Sequence, residues 1–293
     1  MFAHNNEQID YGLIALCNGL MIREHFPDAG IALIADEGTL SWLRKSRGDD
    51  LVNRVFTHVV VKENERNVQK RRYLDTASTA HELPWHNQSR LSAYELSPFE
   101  ETILLDSDYL IANDSLKFCW GSRADLRMNK HAVTLDYELP HMDERRLEPL
   151  GISMYWATCV YFRKSDVTKT FFDLVEHVRE NYDYYQYIYR FPGKLFRNDY
   201  AFSIAAHILS AWEEDRIDPL PTPRLLTSFD TDELVDIPSK GEFIFLVNDR
   251  QEGWRFTFSR TSGLNVHVMN KFSIGRNADK ILALYGGRDG TQL

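Results

Sequence analysis

Apolar positions along the chain predict an α/β alternation. Between Asp10 and Phe26, the residues Leu13, Ile14, Leu16, Cys17, Leu20 and Met21 recur at helical spacing and give a wide apolar face. Pro27 and Gly30 end that helix. Ile31-Ala32-Leu33-Ile34-Ala35 is a continuous apolar run, the pattern of a strand covered on both faces, and it stops at Asp36. Met1-Phe2-Ala3-His4 is predicted to end a short buried strand before the chain breaks at Asn5-Asn6-Glu7. A helix around Trp42 and a strand at Val59-Val60-Val61 complete β-α-β-α-β, the start of a doubly wound, Rossmann-like mixed sheet flanked by helices.

Lys62 to Thr79 is polar and without period, which predicts a mobile loop. Gln88 to Leu96 reads as a helix and Thr102-Ile103-Leu104-Leu105 as a buried strand ending in Asp106-Ser107-Asp108. Strands are expected at Ala132–Leu135 and Tyr155–Phe162. Asp166 to Tyr189 has a helical period through Val167, Phe171, Leu174, Val175, Val178 and Tyr182, and Asp199 to Trp212 forms a second helix. Pro219, Pro221 and Pro223 mark a connection. Phe243–Val247 and Arg255–Phe258 read as strands, and the chain closes with Val266 to Lys271 and a short helix. No linker demands a cut, so 1–293 is read as one domain.

Composition narrows the class. With 43% hydrophobic and 26% charged residues, the chain has the profile of a folded soluble protein. Its longest apolar stretch, Tyr11 to Met21, falls short of the roughly 18–20 residues that span a bilayer. Met1 to Asp10 lacks the basic start and apolar core of a signal peptide. Cys17, Cys119 and Cys159 sit among apolar neighbours and cannot all pair, which predicts buried thiols in a cytoplasmic protein, with no zinc spacing. The net charge of −9 argues against a general nucleic-acid binder. The one dense basic cluster is Lys70-Arg71-Arg72, with Arg66 nearby.

Candidate chemistry centres on Leu104-Leu105-Asp106-Ser107-Asp108-Tyr109-Leu110. Ligands of open α/β sheets bind beyond the carboxyl ends of the strands. Two carboxylates one residue apart at such an end suit Mg²⁺ or Mn²⁺, with diphosphate oxygens as further ligands. A turn whose Asp side chains accept backbone hydrogen bonds is the alternative reading. The haloacid-dehalogenase phosphatases also place Asp-X-Asp after a strand, but after the first strand of the fold and before Thr or Val; here three strands precede it and Tyr109 follows.

In this order the pieces resemble the GT-A glycosyltransferases, particularly the glycogenin-like and bacterial galactosyltransferase-like group. The resemblance is carried by the opening strand, loop and helix; by Arg90 in Asn87-Gln88-Ser89-Arg90-Leu91-Ser92-Ala93-Tyr94; by Asp106-Ser107-Asp108; and by the late pair His267 and Lys271. Ala93-Tyr94-Glu95-Leu96-Ser97-Pro98-Phe99 also looks like uncharacterised glycosyltransferases carried by tailed phages, which would place the protein in host cytoplasm. The resemblance implies a nucleotide-binding half over 1–120 and an acceptor-side half over 121–293. It implies that Asp106, Asp108 and His267 bind Mn²⁺ or Mg²⁺, with Asp106 also near the ribose. Lys271 would reach the diphosphate, and Arg90 the phosphates or donor sugar. Ala3, His4, Asn6 and Asp36 would serve the nucleotide, and Asp199 the donor sugar and acceptor. The chain departs from the family where Met269-Asn270-Lys271-Phe272 replaces a Gly and Lys-Pro-Trp, and where Ala157-Thr158-Cys159-Val160 replaces an Asn-Ser-Gly turn.

Each residue has a plainer alternative. His267 alternates with Val266 and Val268 as an exposed strand position would; Arg90 can pair with Glu95 or Asp106; Asp199 can be a helix N-cap. Tyr155 and Trp156 can stack on an acceptor ring or sit in the core, and the run Tyr182, Tyr184, Tyr185, Tyr187, Tyr189 reads as packing.

The expected reaction is metal-dependent transfer of a sugar from a nucleotide diphosphate, with uridine the family default, to a hydroxyl acceptor. The acceptor would be a hydroxylated or hydroxymethylated base in phage DNA, with Arg66, Lys70, Arg71 and Arg72 as a basic rim, or else a glycan or small sugar. Lys62 to Thr79 would close over the donor. Asp108→Asn is expected to abolish transfer and leave the fold intact. A nucleotidyltransferase would show a Gly-rich basic loop in place of Asn5-Asn6-Glu7-Gln8; a catalytically inactive sugar-binding module would not need the carboxylate pair.

Overall fold

The protein is described by a computed structural model covering residues 1–63, 68–86, 88–136, 146–147, 151–213, 216–222, 224–249 and 255–287. Arg66, Asn87 and Pro223 lie outside the described residues. The fold is α/β, with short mixed sheets flanked by helices. Strands β1 (Phe2–Ala3), β2 (Ala32–Ala35) and β3 (His58–Val61) form a parallel sheet in the order β1-β2-β3. They are joined through helix α1 (Tyr11–His25) and the pair α2 (Glu37–Arg47) and α3 (Asp49–Val55).

Helix α1 is buried from Gly12 to Ile22 because other elements cover it on several sides. Its first turn is capped by Asp10, whose carboxylate accepts from Leu13 N at 2.9 Å, a contact worth about 1 kcal/mol. Gly19 lets α3 close on it: a Cβ there would stand 2.5 Å from the Val55 side chain.

The polar stretch read as a mobile loop is a hairpin in its described part. Strand β4 (Gln69–Leu74) pairs antiparallel with β5 (Ala80–Trp85). Tyr73 and Leu83 are buried beneath it, and Tyr11 Oη donates to Tyr73 Oη at 3.3 Å. Gln69 Oε1 accepts from Phe196 N at 2.8 Å, and Asn270 Nδ2 donates to the Asp75 carbonyl at 3.1 Å. Anchored to three separate parts of the chain, the hairpin is a strap rather than a lid. Its basic face gives no apolar alternation, which is why the pattern failed to mark it as a strand.

A 3-10 turn (Gln88–Ser92) and helix α4 (Ala93–Leu96) lead to β6 (Glu101–Leu105). Two further sheets meet there. One is antiparallel, in the order β6-β10-β8, with β8 (Leu126–Asn129) and β10 (Trp156–Arg163). The other runs β7-β15-β11-β9, from β7 (Tyr109–Leu110), β9 (Ala132–Thr134), β11 (Leu225–Thr227) and β15 (Val266–His267). Asp106, Ser107 and Asp108 span the gap between β6 in the first and β7 in the second. An antiparallel meander of β12 (Glu233–Asp236), β13 (Glu242–Asn248) and β14 (Phe256–Ser262) lies apart from both.

The long helical period from Asp166 to Tyr189 breaks at Asn181 into α5 (Asp166–Glu180) and α6 (Tyr182–Tyr189). Helices α5 and α7 (Asn198–Leu209) pack together, with α7 against β10, while α8 (Lys271–Arg276) and α9 (Ala278–Tyr285) pack on α1. Tyr182 and Tyr185 are buried; Tyr184 and Tyr187 are exposed. The three cysteines are buried free thiols. No described helix is long and apolar enough to cross a membrane.

Candidate metal and anion site

The Asp-X-Asp segment is pinned at both ends by backbone pairing. Asp106 N donates to Thr158 O on β10 at 2.8 Å, and Val268 N donates to Asp108 O at 2.9 Å. Pairing of β7 with β15 sets His267 opposite Tyr109. Ligand atoms of Asp106, Asp108 and His267 consequently lie within 4.8 Å of one another. His267 Nε2 is 3.6 Å from Asp108 Oδ2 and 3.9 Å from Asp106 Oδ2. Its Nδ1 faces the hydroxyls of Thr227 at 3.3 Å and Thr158 at 3.5 Å, which orients the ring so that Nε2 points at the carboxylates. His267 is buried, not the exposed strand position that its alternation allowed.

Two cations meet the two carboxylates. Lys271, at the start of α8, pairs with Asp108, and both side chains are buried. Burial alone would raise the Asp108 carboxyl, but the Lys271 ammonium, followed by His267, outweighs it and holds the group far below the usual carboxylate range. Burial pulls the Lys271 ammonium down from its ordinary value against the attraction of Asp108. Arg90, on the 3-10 turn, donates to Asp106 and to the Ala157 carbonyl. It is 5% exposed, so it is no surface residue, and burial lowers its guanidinium to about 10.

The donor set fits a hard divalent cation: two carboxylates and an imidazole converge, with room for anionic oxygens of a bound molecule. Lys271 pairs with Asp108, so its ammonium and such an ion would both address that carboxylate.

A cleft of about 160 Å³ opens over this cluster and is lined by His4, Arg90, Asp106, Asp108, Asp199, His267 and Lys271, bringing together seven of the ten residues singled out in the sequence. The other three stand outside it. Ala3 is buried in the core; Asn6 fixes the turn after β1, accepting from Ile9 N at 2.8 Å; Asp36 caps α2 and hydrogen-bonds His4 Nδ1 at 3.0 Å. Asp199 is not the N-cap of α7, a position taken by Arg197. Its carboxylate accepts from Ala157 N at 3.0 Å and pairs with Arg197 at 3.1 Å.

The cleft also contains residues that the chain pattern did not single out, Trp85, His86, Thr158 and Arg197, together with Arg71 from the basic cluster. A second chamber of about 270 Å³ adjoins it, shares Arg71, Trp85, Trp156, Arg197 and Met269, and adds Thr227, Ser228, Phe229 and Asp230. Trp156 lines both chambers, whereas Tyr155 is core. The basic cluster is split by strand alternation: Arg71 turns toward the cleft, while Lys70 and Arg72 are exposed.

No protein-family model matches the sequence, and no curated protein matches it. Among solved structures the chain is similar to the crystal structure of the galactosyltransferase LgtC in complex with donor and acceptor sugar analogues. Identity is 11%, coverage is 99% of this chain and 96% of that one, and the TM-score is 0.43.

Proposed function

We propose that the protein is a metal-dependent glycosyltransferase of GT-A type, moving a sugar from a nucleoside diphosphate to a hydroxyl acceptor. The observation that carries this reading is the convergence of Asp106, Asp108 and His267 past the end of β6, with Lys271 and Arg90 beside them. A bound divalent ion would neutralise charge on the departing diphosphate.

The chain's own residues divide the remaining work. Asp106 and Asp108 would hold the ion, and His267, oriented by Thr227 and Thr158, would complete its protein ligands. Lys271, beside Asp108, would meet a phosphate oxygen. Asp199 lines the cleft and Trp156 lines both chambers, so an acceptor would enter from the second chamber past Trp156. In the transfer, the bond from the anomeric carbon to the diphosphate breaks and a bond to the acceptor oxygen forms. The acceptor's proton leaves with the nucleoside diphosphate or through solvent.

The test is release of nucleoside diphosphate from a panel of UDP-sugars with Mn²⁺, offered hydroxymethylcytosine DNA and simple sugars as acceptors. Turnover that needs both Mn²⁺ and acceptor is expected. Equal turnover in EDTA would remove the metal. Pyrophosphate release from nucleoside triphosphates, with no sugar transfer, would make the protein a nucleotidyltransferase. Against that second reading, the turn after β1 is closed by Asn6 side-chain bonds to Gln8 N and Ile9 N and has no glycine-rich loop.

A further inference from the structure

Four described cations line the cleft: Arg71, Arg90, Arg197 and Lys271. Three are committed to carboxylates. Arg90 pairs with Asp106, Arg197 with Asp199 and Lys271 with Asp108. Arg71 differs. Among the described residues no carboxylate lies within ion-pair distance of it. Its guanidinium instead lies 5.0 Å from the centroid of the Trp85 ring and 5.3 Å from that of Tyr73. Such stacking holds the planar fork at little cost to its donors, which stay available for an anion.

Placement adds an independent observation. Arg71 lines both chambers, and Lys271 lines the first of them with it. Two positive charges facing one cleft, one of them without a carboxylate, make a receptor for an anion. The strand that carries Arg71 is tied to α1 through Tyr73, to the segment before α7 through Gln69, and to the start of α8 through Asp75. The guanidinium is therefore preorganised, and binding does not have to order a loop first.

We propose that Arg71 is a further residue that receives the diphosphate of the nucleotide-sugar donor, as a forked partner for its oxygens at the junction of the two chambers. This rests on the reading of the cleft as a donor site. Lys271 and Arg90, the residues that the family resemblance implies for phosphate, are each paired with a carboxylate in this structure; Arg71 adds to them a cation with no such pair.

Calorimetric titration of the full chain in Mn²⁺ tests the assignment, with UDP, GDP, CDP and ADP, their parent nucleosides and inorganic pyrophosphate as probes. Charge-assisted hydrogen bonds to phosphate correspond to an affinity change of about 10- to 100-fold. Arg71→Gln is expected to weaken the preferred nucleoside diphosphate and pyrophosphate by that factor, leaving the matching nucleoside within about twofold. Arg71→Lys is expected to recover part of the loss. A diphosphate bound equally by wild type and Arg71→Gln overturns the assignment of Arg71 while the donor reading stands. Equal weakening of nucleoside and diphosphate also overturns it, since Arg71 would then only shape the walls. Wild-type protein that binds none of the four diphosphates overturns the donor reading, and the role of Arg71 with it.

Discussion

Two of the spaces among the described residues differ sharply in character. The larger, about 410 Å³, lies between the β1–β2 edge and β6 and is walled by Phe2, Ile34, Phe99, Ile103, Leu105 and Leu116. The smaller, about 160 Å³, holds the carboxylates, His267 and four cations. The apolar part of such a wall can face empty space at modest cost, because apolar groups need no partner. In the cleft, three cations are paired with carboxylates, and a buried pair that loses one member is left with an uncompensated charge. Volume therefore says little about where chemistry occurs, whereas convergence of costly groups says much.

The largest expected effect comes from breaking the cleft's charge balance. Asp108→Asn is expected to reduce transfer by roughly 100- to 1,000-fold, the scale of losing one preorganised electrostatic group. The buried pair with Lys271 also changes the expectation that the fold is untouched. A loss of about 3 kcal/mol should appear as a lower melting midpoint. Adding Lys271→Met should restore the midpoint without restoring turnover. A single variant with wild-type midpoint and turnover would erase the contrast between the two spaces.

Next in size is ligand stabilisation. UDP at a hundredfold excess over its Kd, with Mn²⁺, should add about 2.7 kcal/mol to stability, and the gain should vanish in EDTA. His267→Ala should weaken Mn²⁺ binding by about tenfold, since both carboxylates remain. An EDTA-independent gain would take the metal out of the cleft.

A smaller effect concerns His4 at the cleft's edge. Burial lowers its pKa from the ordinary 6.5, against the pull of Asp36. The unfolded chain then binds the proton more readily, so this contribution to stability is present above 6.5 and declines as pH falls through and below it. His4→Gln should flatten the thermal midpoint between pH 7 and about pH 5.5 relative to wild type. An unchanged slope would remove His4 as its source. Smallest of all, Ala32→Val, placed in the wall of the apolar space, should shift stability by no more than about 1 kcal/mol and leave UDP affinity unchanged. A loss of UDP binding would show that the two spaces communicate.

What was legible in the chain follows the same division. Helix α1 and strand β2 could be read because burial imposes an apolar period, and Asp106 and Asp108 stood out as carboxylates ending such a run. Strand β4 was hidden: Lys70 and Arg72 face solvent, while Arg71 is held by ring faces, so its hydropathy is polar on both sides. The break at Asn181 was hidden too, because the apolar period runs on through Tyr182 while Asn181 Nδ2 turns back to the His177 carbonyl at 2.9 Å. Strands β7 and β15 have two residues each, too few to show alternation, yet they bring His267 to the carboxylates.

Strand β10 breaks register against β8, with a consequence for anyone wishing to move this site elsewhere. Opposite β8, Trp156 pairs with Asn129 and Val160 with Met128, so three residues of one strand bulge against none of the other. Freed from that ladder, the Ala157 carbonyl receives Arg90 and the Ala157 amide engages Asp199. Thr158 supplies its carbonyl to Asp106 N and its hydroxyl to His267. Transplanting Asp106-Ser107-Asp108 onto another α/β scaffold would carry over the ligands and leave behind the irregular backbone that aims them. The unit to graft is the bulged strand together with its acidic neighbour, and a recipient sheet of unbroken register would have no way to receive it.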